Sequence, residues 1–154
     1  MEFKENNSKR VQSRQVKAWL SKSAVQLREQ VDDCFPERSR KSDGWIGDAR
    51  HSASKSDHNP DTNGCVRAID IDAGLSDAKG LSTYLADQIR QFGKSNGRIS
   101  YVIHQEKIAS PLLGWKWRKY KGINKHNHHI HISFKKDQDN NSEFFDIPLL
   151  GGKQ

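Results

Sequence analysis

His126-Asn127-His128-His129-Ile130-His131-Ile132-Ser133-Phe134 is the stretch on which the fold of this chain turns. Four of the seven histidines fall within its first six positions. From His129 onward polar and apolar residues alternate, the period of a β-strand whose successive side chains project to opposite faces. His129, His131 and Ser133 then share one face, while Ile130, Ile132 and Phe134 share the other, towards a core. Two imidazoles one residue apart on the polar face of such a strand are a common way to build a metal site. A histidine-rich, solvated loop accounts for the same local composition.

The elements around this strand follow from the same reasoning. Val66–Asp72 reads as a second strand, with Ile69 and Ile71 on one face and Ala68, Asp70 and Asp72 on the other. Leu20, Ala24, Leu27 and Val31 recur at helical spacing until Pro36 stops them. Residues 76–92 predict another helix, with Ser76 as N-cap, Leu81, Leu85 and Ile89 turned inward, and Gly93 ending it. Ile99–His104 is a further strand, and Lys107–Ser110 its hairpin partner. Residues 37–64 lack an apolar period and carry the turn pairs Asp43-Gly44, Asn59-Pro60 and Asn63-Gly64. A loop that long in a compact domain is usually functional or disordered. Phe144, Phe145, Ile147 and Leu149 near the end are expected to dock back on the body. The expected fold class is α+β, a small antiparallel sheet with flanking helices. It forms one domain over residues 16–154, preceded by a flexible basic arm over 1–15.

The chain has 154 residues, a formal charge of +7 and 33% hydrophobic residues. With a mean hydropathy of −0.93 and a pI near 9.5, it has a modest core and favours a polyanionic partner. Nucleic acid, an anionic cell wall and a membrane surface all fit that charge. Cys34 and Cys65 form neither a disulfide framework nor a CxxC pair, so two reduced thiols are expected. No apolar run approaches the ~20 residues of a membrane span. No apolar segment of a signal peptide follows Met1, so synthesis in a cytoplasm is the expectation. Trp115–Lys125 interleaves Trp115, Trp117 and Tyr120 with Lys116, Arg118, Lys119, Lys121 and Lys125. It reads as a basic-aromatic rim for a polyanion, or as a hairpin whose tryptophans cover the core while its cations stay in water.

Ser56-Asp57-His58-Asn59-Pro60 lies upstream of Asp70 and supplies another histidine. A hydrolytic zinc site needs three protein ligands and an open position. His58 on the loop, with Asp70 and His131 on the polar faces of neighbouring strands, can supply that set. A turn histidine beside Pro60 and a solvated strand face explain the same residues equally well at this level.

Ser56-x-His58, Ala68-x-Asp70 and His129-x-His131, in that order, resemble the zinc peptidase superfamily of D-Ala-D-Ala carboxypeptidases, murein endopeptidases and hedgehog-type domains. Residues 43–51, Ser56–Pro60, Ala68–Ile71 and Gly114-Trp115-x-Trp117-Arg118-x-Tyr120 are similar to phage-encoded members. The likeness spans roughly residues 27–134. It implies a hedgehog/DD-peptidase-like fold, with His58, Asp70 and His131 as zinc ligands and His129 as the catalytic assistant. It further implies that Arg50, or Arg40 or Arg67 in its stead, holds a substrate carbonyl or carboxylate. The interval between His58 and Asp70 is longer than the family's, which fits an insertion around Asp61-Thr62-Asn63-Gly64. His128 stands where the carboxypeptidase branch carries its acidic base, which leaves His129 first and His128 second for that role. Asp72 is a candidate to orient a ligand.

The implied activity is zinc-dependent hydrolysis of peptidoglycan peptides by a monomeric phage or prophage endolysin. Such a protein acts at the bacterial wall and needs a holin-like partner for release. Two other classes compete with it. One is a metal-dependent nuclease or phosphoesterase, for which His131-Ile132-Ser133-Phe134 supplies one H-x-[ST]-x motif but the chain no second copy. The other is a non-catalytic, zinc-containing wall-binding module.

Overall fold

The computed structural model describes residues 17–47 and 56–153. Along the chain run β1 (Trp19–Leu20), α1 (Lys22–Cys34), β2 (Cys65–Val66), β3 (Ala68–Asp72), α2 (Leu81–Ser95), β4 (Ile99–His104), β5 (Lys107–Ala109), β6 (Arg118–Lys119) and β7 (His129–Phe134). The fold is α+β. Five strands form an antiparallel sheet in the order β3-β7-β4-β5-β6, and β1 pairs with β2 in a separate parallel ribbon. No helix among the described residues is long and apolar enough to cross a membrane. The 1–15 arm lies outside the described residues.

Strand β7 sits between β3 and β4, so both its edges are hydrogen-bonded. Ile130, Ile132 and Phe134 pack into one core with Ile69 and Ile71 of β3, Ala24, Leu27 and Val31 of α1, and Leu85, Ala86 and Ile89 of α2. Burying each large aliphatic side chain contributes about 1.5–3 kcal/mol. Phe145, Ile147 and Leu150 of the tail are fully buried in the same core. The tail therefore docks as expected, but Leu150 is inside, Phe144 is exposed and Leu149 only partly covered.

Three local features depart from the sequence reading. The strand expected over 66–72 breaks at Arg67, whose guanidinium is drawn aside by Asp139 and Asp61. Helix α2 begins at Leu81 because the Ser76 hydroxyl instead caps the Ala78 amide in a turn, and Gly80 enters the helix at φ 76°. It also runs past Gly93, where a Cβ would lie 2.5 Å from the Trp115 ring. Gly93 is there to admit an indole, not to end the helix. Trp115 is accordingly buried, and Trp117 is half-buried with its Nε1–H donated to Asp87 at 2.8 Å. Lys116, Arg118, Lys119, Lys121 and Lys125 are exposed.

The tail is locked by Arg98, which is 5% exposed. Its guanidinium donates to Gln138 Oε1, the Glu143 and Asn141 carbonyls and Ser23 Oγ, and lies 3.8 Å over the Phe145 ring. Burial lowers its pKa, with Glu143 opposing.

Candidate metal centre

The register of β3 against β7 pairs Ala68 with Ser133, Asp70 with His131 and Asp72 with His129. Directly opposed residues share a face, so Asp70 and His131 meet on the side away from the helices. His58 reaches them from the loop. Gly44 forms a two-bond bridge to Asp70 on the free edge of β3, with Asp70 N–H donating to Gly44 O at 2.7 Å and Gly44 N–H to Asp70 O at 3.1 Å. The Asp43 carboxylate accepts the Asp72 amide at 2.7 Å and is itself gripped by both Nη atoms of the buried Arg38. These bonds fix residues 43–47 beside the strand. Gly47 N–H then donates to the His58 carbonyl, and His58 Nδ1–H donates to the Trp45 carbonyl at 2.8 Å. Asp61–Gly64, where the sequence has its longer interval, folds into a turn in which Asp61 Oδ1 accepts the Asn63 and Cys65 amides. The extra residues are absorbed there, and His58 still meets Asp70.

His58 Nε2, Asp70 Oδ1 and His131 Nδ1 form a triangle with edges of 3.2, 3.1 and 3.2 Å. A carbonyl can only accept, so the proton of a neutral His58 sits on Nδ1 and its Nε2 presents a lone pair. His131 Nε2 is 2.8 Å from Ser133 Oγ; with Nε2–H donating there, Nδ1 is bare as well. In those tautomers three acceptors converge with no hydrogen to share among them. A proton or a cation resolves that arrangement, and the three buried or half-buried residues could hold a metal ion. Partners fixing the far nitrogen of each ring are the usual support of metal-bound histidines.

The electrostatics agree. Burial alone would raise the Asp70 carboxyl, but the His131 and His58 imidazoles outweigh it and hold it well below the usual carboxylate range. Burial likewise pushes His58 down, yet Asp70 and the Trp45 carbonyl leave it above an ordinary imidazole.

No protein-family model, curated protein or solved structure matches this chain.

The other sequence candidates are distributed as follows. His129 lies on the same face, its Nε2 3.6 Å from Asp70 Oδ1, buried and without a hydrogen-bond partner. Burial lowers its pKa, with Asp70 opposing. His128 is exposed; its carbonyl accepts the Ala73 amide, and among the described residues no contact ties its ring to the cluster. The Asp72 carboxylate accepts from Ser39 Oγ and from the Ser42 and Gly74 amides, so it fastens the 39–42 loop to β3, and among the described residues none of these partners is an imidazole. Arg50 lies outside the described residues. Of its stand-ins, Arg40 pairs with Asp32 at the surface, and Arg67 is engaged by Asp61 and Asp139.

Three residues near the site carried no weight in the sequence. Tyr101 stacks on His131 with ring centroids 5.3 Å apart. It does so because a bulge between Ile99 and Tyr101 shifts the β4 register. His126 is buried against His129 and His131. His104 accepts from Ser82 Oγ at Nε2 and donates Nδ1–H to the His126 and His129 carbonyls at 2.9 Å each. The signal for His126 was its place in the cluster; none marked Tyr101.

Proposed function

We propose that this protein is a zinc-dependent peptidase that hydrolyses peptide bonds of bacterial peptidoglycan, in the manner of phage endolysins, on a hedgehog/DD-peptidase-like fold. The observation that carries the reading is the convergence of His58 Nε2, Asp70 Oδ1 and His131 Nδ1. Its edges of 3.1–3.2 Å compare with ~3.3 Å between ligands of tetrahedral zinc at Zn–N and Zn–O distances of about 2.0–2.1 Å. Two imidazoles and a carboxylate suit zinc, and a three-residue donor set is the catalytic pattern, not the closed structural one. The order of the sequence motifs points to the same class.

A zinc ion held there supplies Lewis acidity towards an amide carbonyl and acidifies water. The chain's own residues do the rest. The Trp45 carbonyl and Ser133 hydroxyl keep His58 and His131 in the ligating tautomers. His129 Nε2, unpartnered beside Asp70, takes the proton of the attacking water and returns it to the leaving amine. Arg50 holds a substrate carbonyl or carboxylate, and His128, in the solvent, is the lesser candidate for the base. The positive charge draws the protein to an anionic wall. Release through a holin-like partner and action as a monomer belong to the same proposal.

The test is purified protein incubated with peptidoglycan, read as new amino groups, with zinc quantified and His131→Ala alongside. Chelator-sensitive amine release that His131→Ala abolishes is the expected result. Cleavage of nucleic acid with an untouched wall would overturn the reading in favour of a nuclease. Zinc binding without turnover would overturn it in favour of a wall-binding module.

A further inference from the structure

From Lys107 to Lys125 the chain carries six basic residues, Lys107, Lys116, Arg118, Lys119, Lys121 and Lys125, and no acid. All six are exposed. Lys125 lies 3.5 Å from Glu106, and among the described residues none of the other five has an acidic partner. The fold gathers these charges. Strands β5 and β6 pair Lys107 with Lys119 and Ile108 with Arg118, so two lysines stand directly opposite each other, where like charges destabilise a sheet. Lysine on an outermost strand guards against edge-to-edge pairing, and β6 is outermost. That role covers Arg118 and Lys119. It does not cover Lys107, which lies on the inner strand β5, or the lysines outside the strands. A groove of about 380 Å³ beside the pair is lined by Lys107, Arg118 and Lys119 with Gln105, Glu106 and Trp117. The rings among the cations are committed to the protein itself. Trp115 is buried against Gly93, Trp117 packs on the core with its Nε1–H on Asp87, and Tyr120 stands edge-on to His126 at 5.4 Å.

We propose that the β5–β6 face and the 116–125 segment bind the phosphodiester backbone of an anionic, base-free polymer of the bacterial wall. The choice of a wall polymer rests on the hydrolase reading above. Proteins that hold single-stranded nucleic acid add stacked rings to their cations, and here the rings are turned to the core and to His126. Five of the six cations are lysines, point charges without the fork that pairs two-pronged with a carboxylate. Such a surface reads a row of phosphates by charge. It also adjoins the metal centre. Glu106 N–H donates to the Lys125 carbonyl, Tyr120 N–H to the Glu106 carbonyl and Gln105 N–H to the His126 carbonyl, and His126 packs against His129 and His131. A polymer bound there keeps neighbouring wall peptides at high local concentration around the site.

The experiment titrates the full chain with poly(glycerol phosphate), with a single-stranded oligonucleotide of equal phosphate number and with anionic phospholipid vesicles, over a range of salt. Wild type should bind poly(glycerol phosphate) most tightly, with a slope of log affinity against log salt of about −4 for six phosphates neutralised. The triple variant Lys107→Gln/Arg118→Gln/Lys119→Gln should halve that slope and lose about 10²-fold in affinity at physiological salt. Its thermal midpoint should equal or exceed that of wild type, because a like-charge pair is gone. Lys107→Arg/Lys119→Arg, which keeps the charges, should bind as wild type does. Wild-type affinity in the triple variant overturns the proposal, as does no binding of the polymer at low salt. Tighter binding of the oligonucleotide overturns it in favour of nucleic acid. Vesicle binding that Ile123→Ser abolishes, stronger than polymer binding, overturns it in favour of a membrane surface. Amine release from peptidoglycan, measured alongside, separates the two readings. Cleavage without polymer binding overturns this inference and leaves the hydrolase, whereas polymer binding by a protein inert to the wall overturns the hydrolase and leaves the surface.

Discussion

Loading the donor triangle with zinc should stabilise the protein in a way that depends on pH and on each ligand. The edges of 3.1–3.2 Å are within about 0.1–0.2 Å of those around tetrahedral zinc, so binding requires little rearrangement. With free zinc at 100 times Kd, the folded state gains about 2.7 kcal/mol. For a domain of this size that corresponds to a rise in Tm of about 5–11 °C. The sign of the pH effect follows from His58, whose pKa is raised by Asp70 against the lowering effect of burial. Without metal, that raised pKa contributes stability fully present below the unfolded value of about 6.5 and lost as pH rises through the folded value. Zinc requires the neutral ring, so the proton competes with it, and affinity weakens about tenfold for each pH unit below the His58 pKa. The zinc-induced rise in Tm should therefore widen between about pH 5.5 and pH 8. Differential scanning fluorimetry with zinc and chelator measures it, and calorimetry in buffers of different ionisation enthalpy counts the protons released. The reasoning fails if wild type shows no shift, if His58→Ala and His131→Ala shift equally, or if the effect grows towards acid.

Two substitutions away from the site test the packing that supports it. Gly93→Val places a side chain where a Cβ alone would lie 2.5 Å from the Trp115 ring, and overpacking of that kind should cost about 1–3 kcal/mol in urea denaturation; an unchanged midpoint would mean that Trp115 moves freely. Arg98→Met removes a buried cation but strands the Gln138, Asn141 and Glu143 acceptors and Ser23, for a loss of about 2–4 kcal/mol and earlier proteolysis of the 138–153 tail. A variant as stable as wild type would show that packing on Phe145 outweighs the hydrogen bonds.

Much of the site was legible because strand alternation is local. The pleat alone puts His129, His131 and Ser133 on one face of β7, and Asp70 and Asp72 on one face of β3, whatever the rest of the chain does. Helix α1 was legible for the same reason, since Ala24, Leu27 and Val31 repeat at the helical period; Leu20, read with them, lies instead in β1, where it pairs with Val66. The limits of α2 were not, because Ser76 forms a tighter local turn and Gly93 is chosen by an indole more than twenty residues away. His126 and His128 are nearly equivalent in sequence. They separate only when His104 and Asn124 turn His126 inward and leave His128 in solvent.

By itself, then, the sequence determined which side chains share a face, a property of backbone geometry that operates over two to four residues. Only the tertiary structure decided which faces meet. The β3–β7 register sets Asp70 opposite His131, and a one-residue slip would have turned one of them into the core. The Gly44 bridge and the Trp45 carbonyl bring His58 across a loop with no period of its own. The bulge before Tyr101 puts an aromatic ring on His131 while Ile99 stays on the core face with Phe134. These are contacts between segments 12 to 73 residues apart, and their register is fixed by the buried apolar face and the hydrogen bonds of the whole sheet.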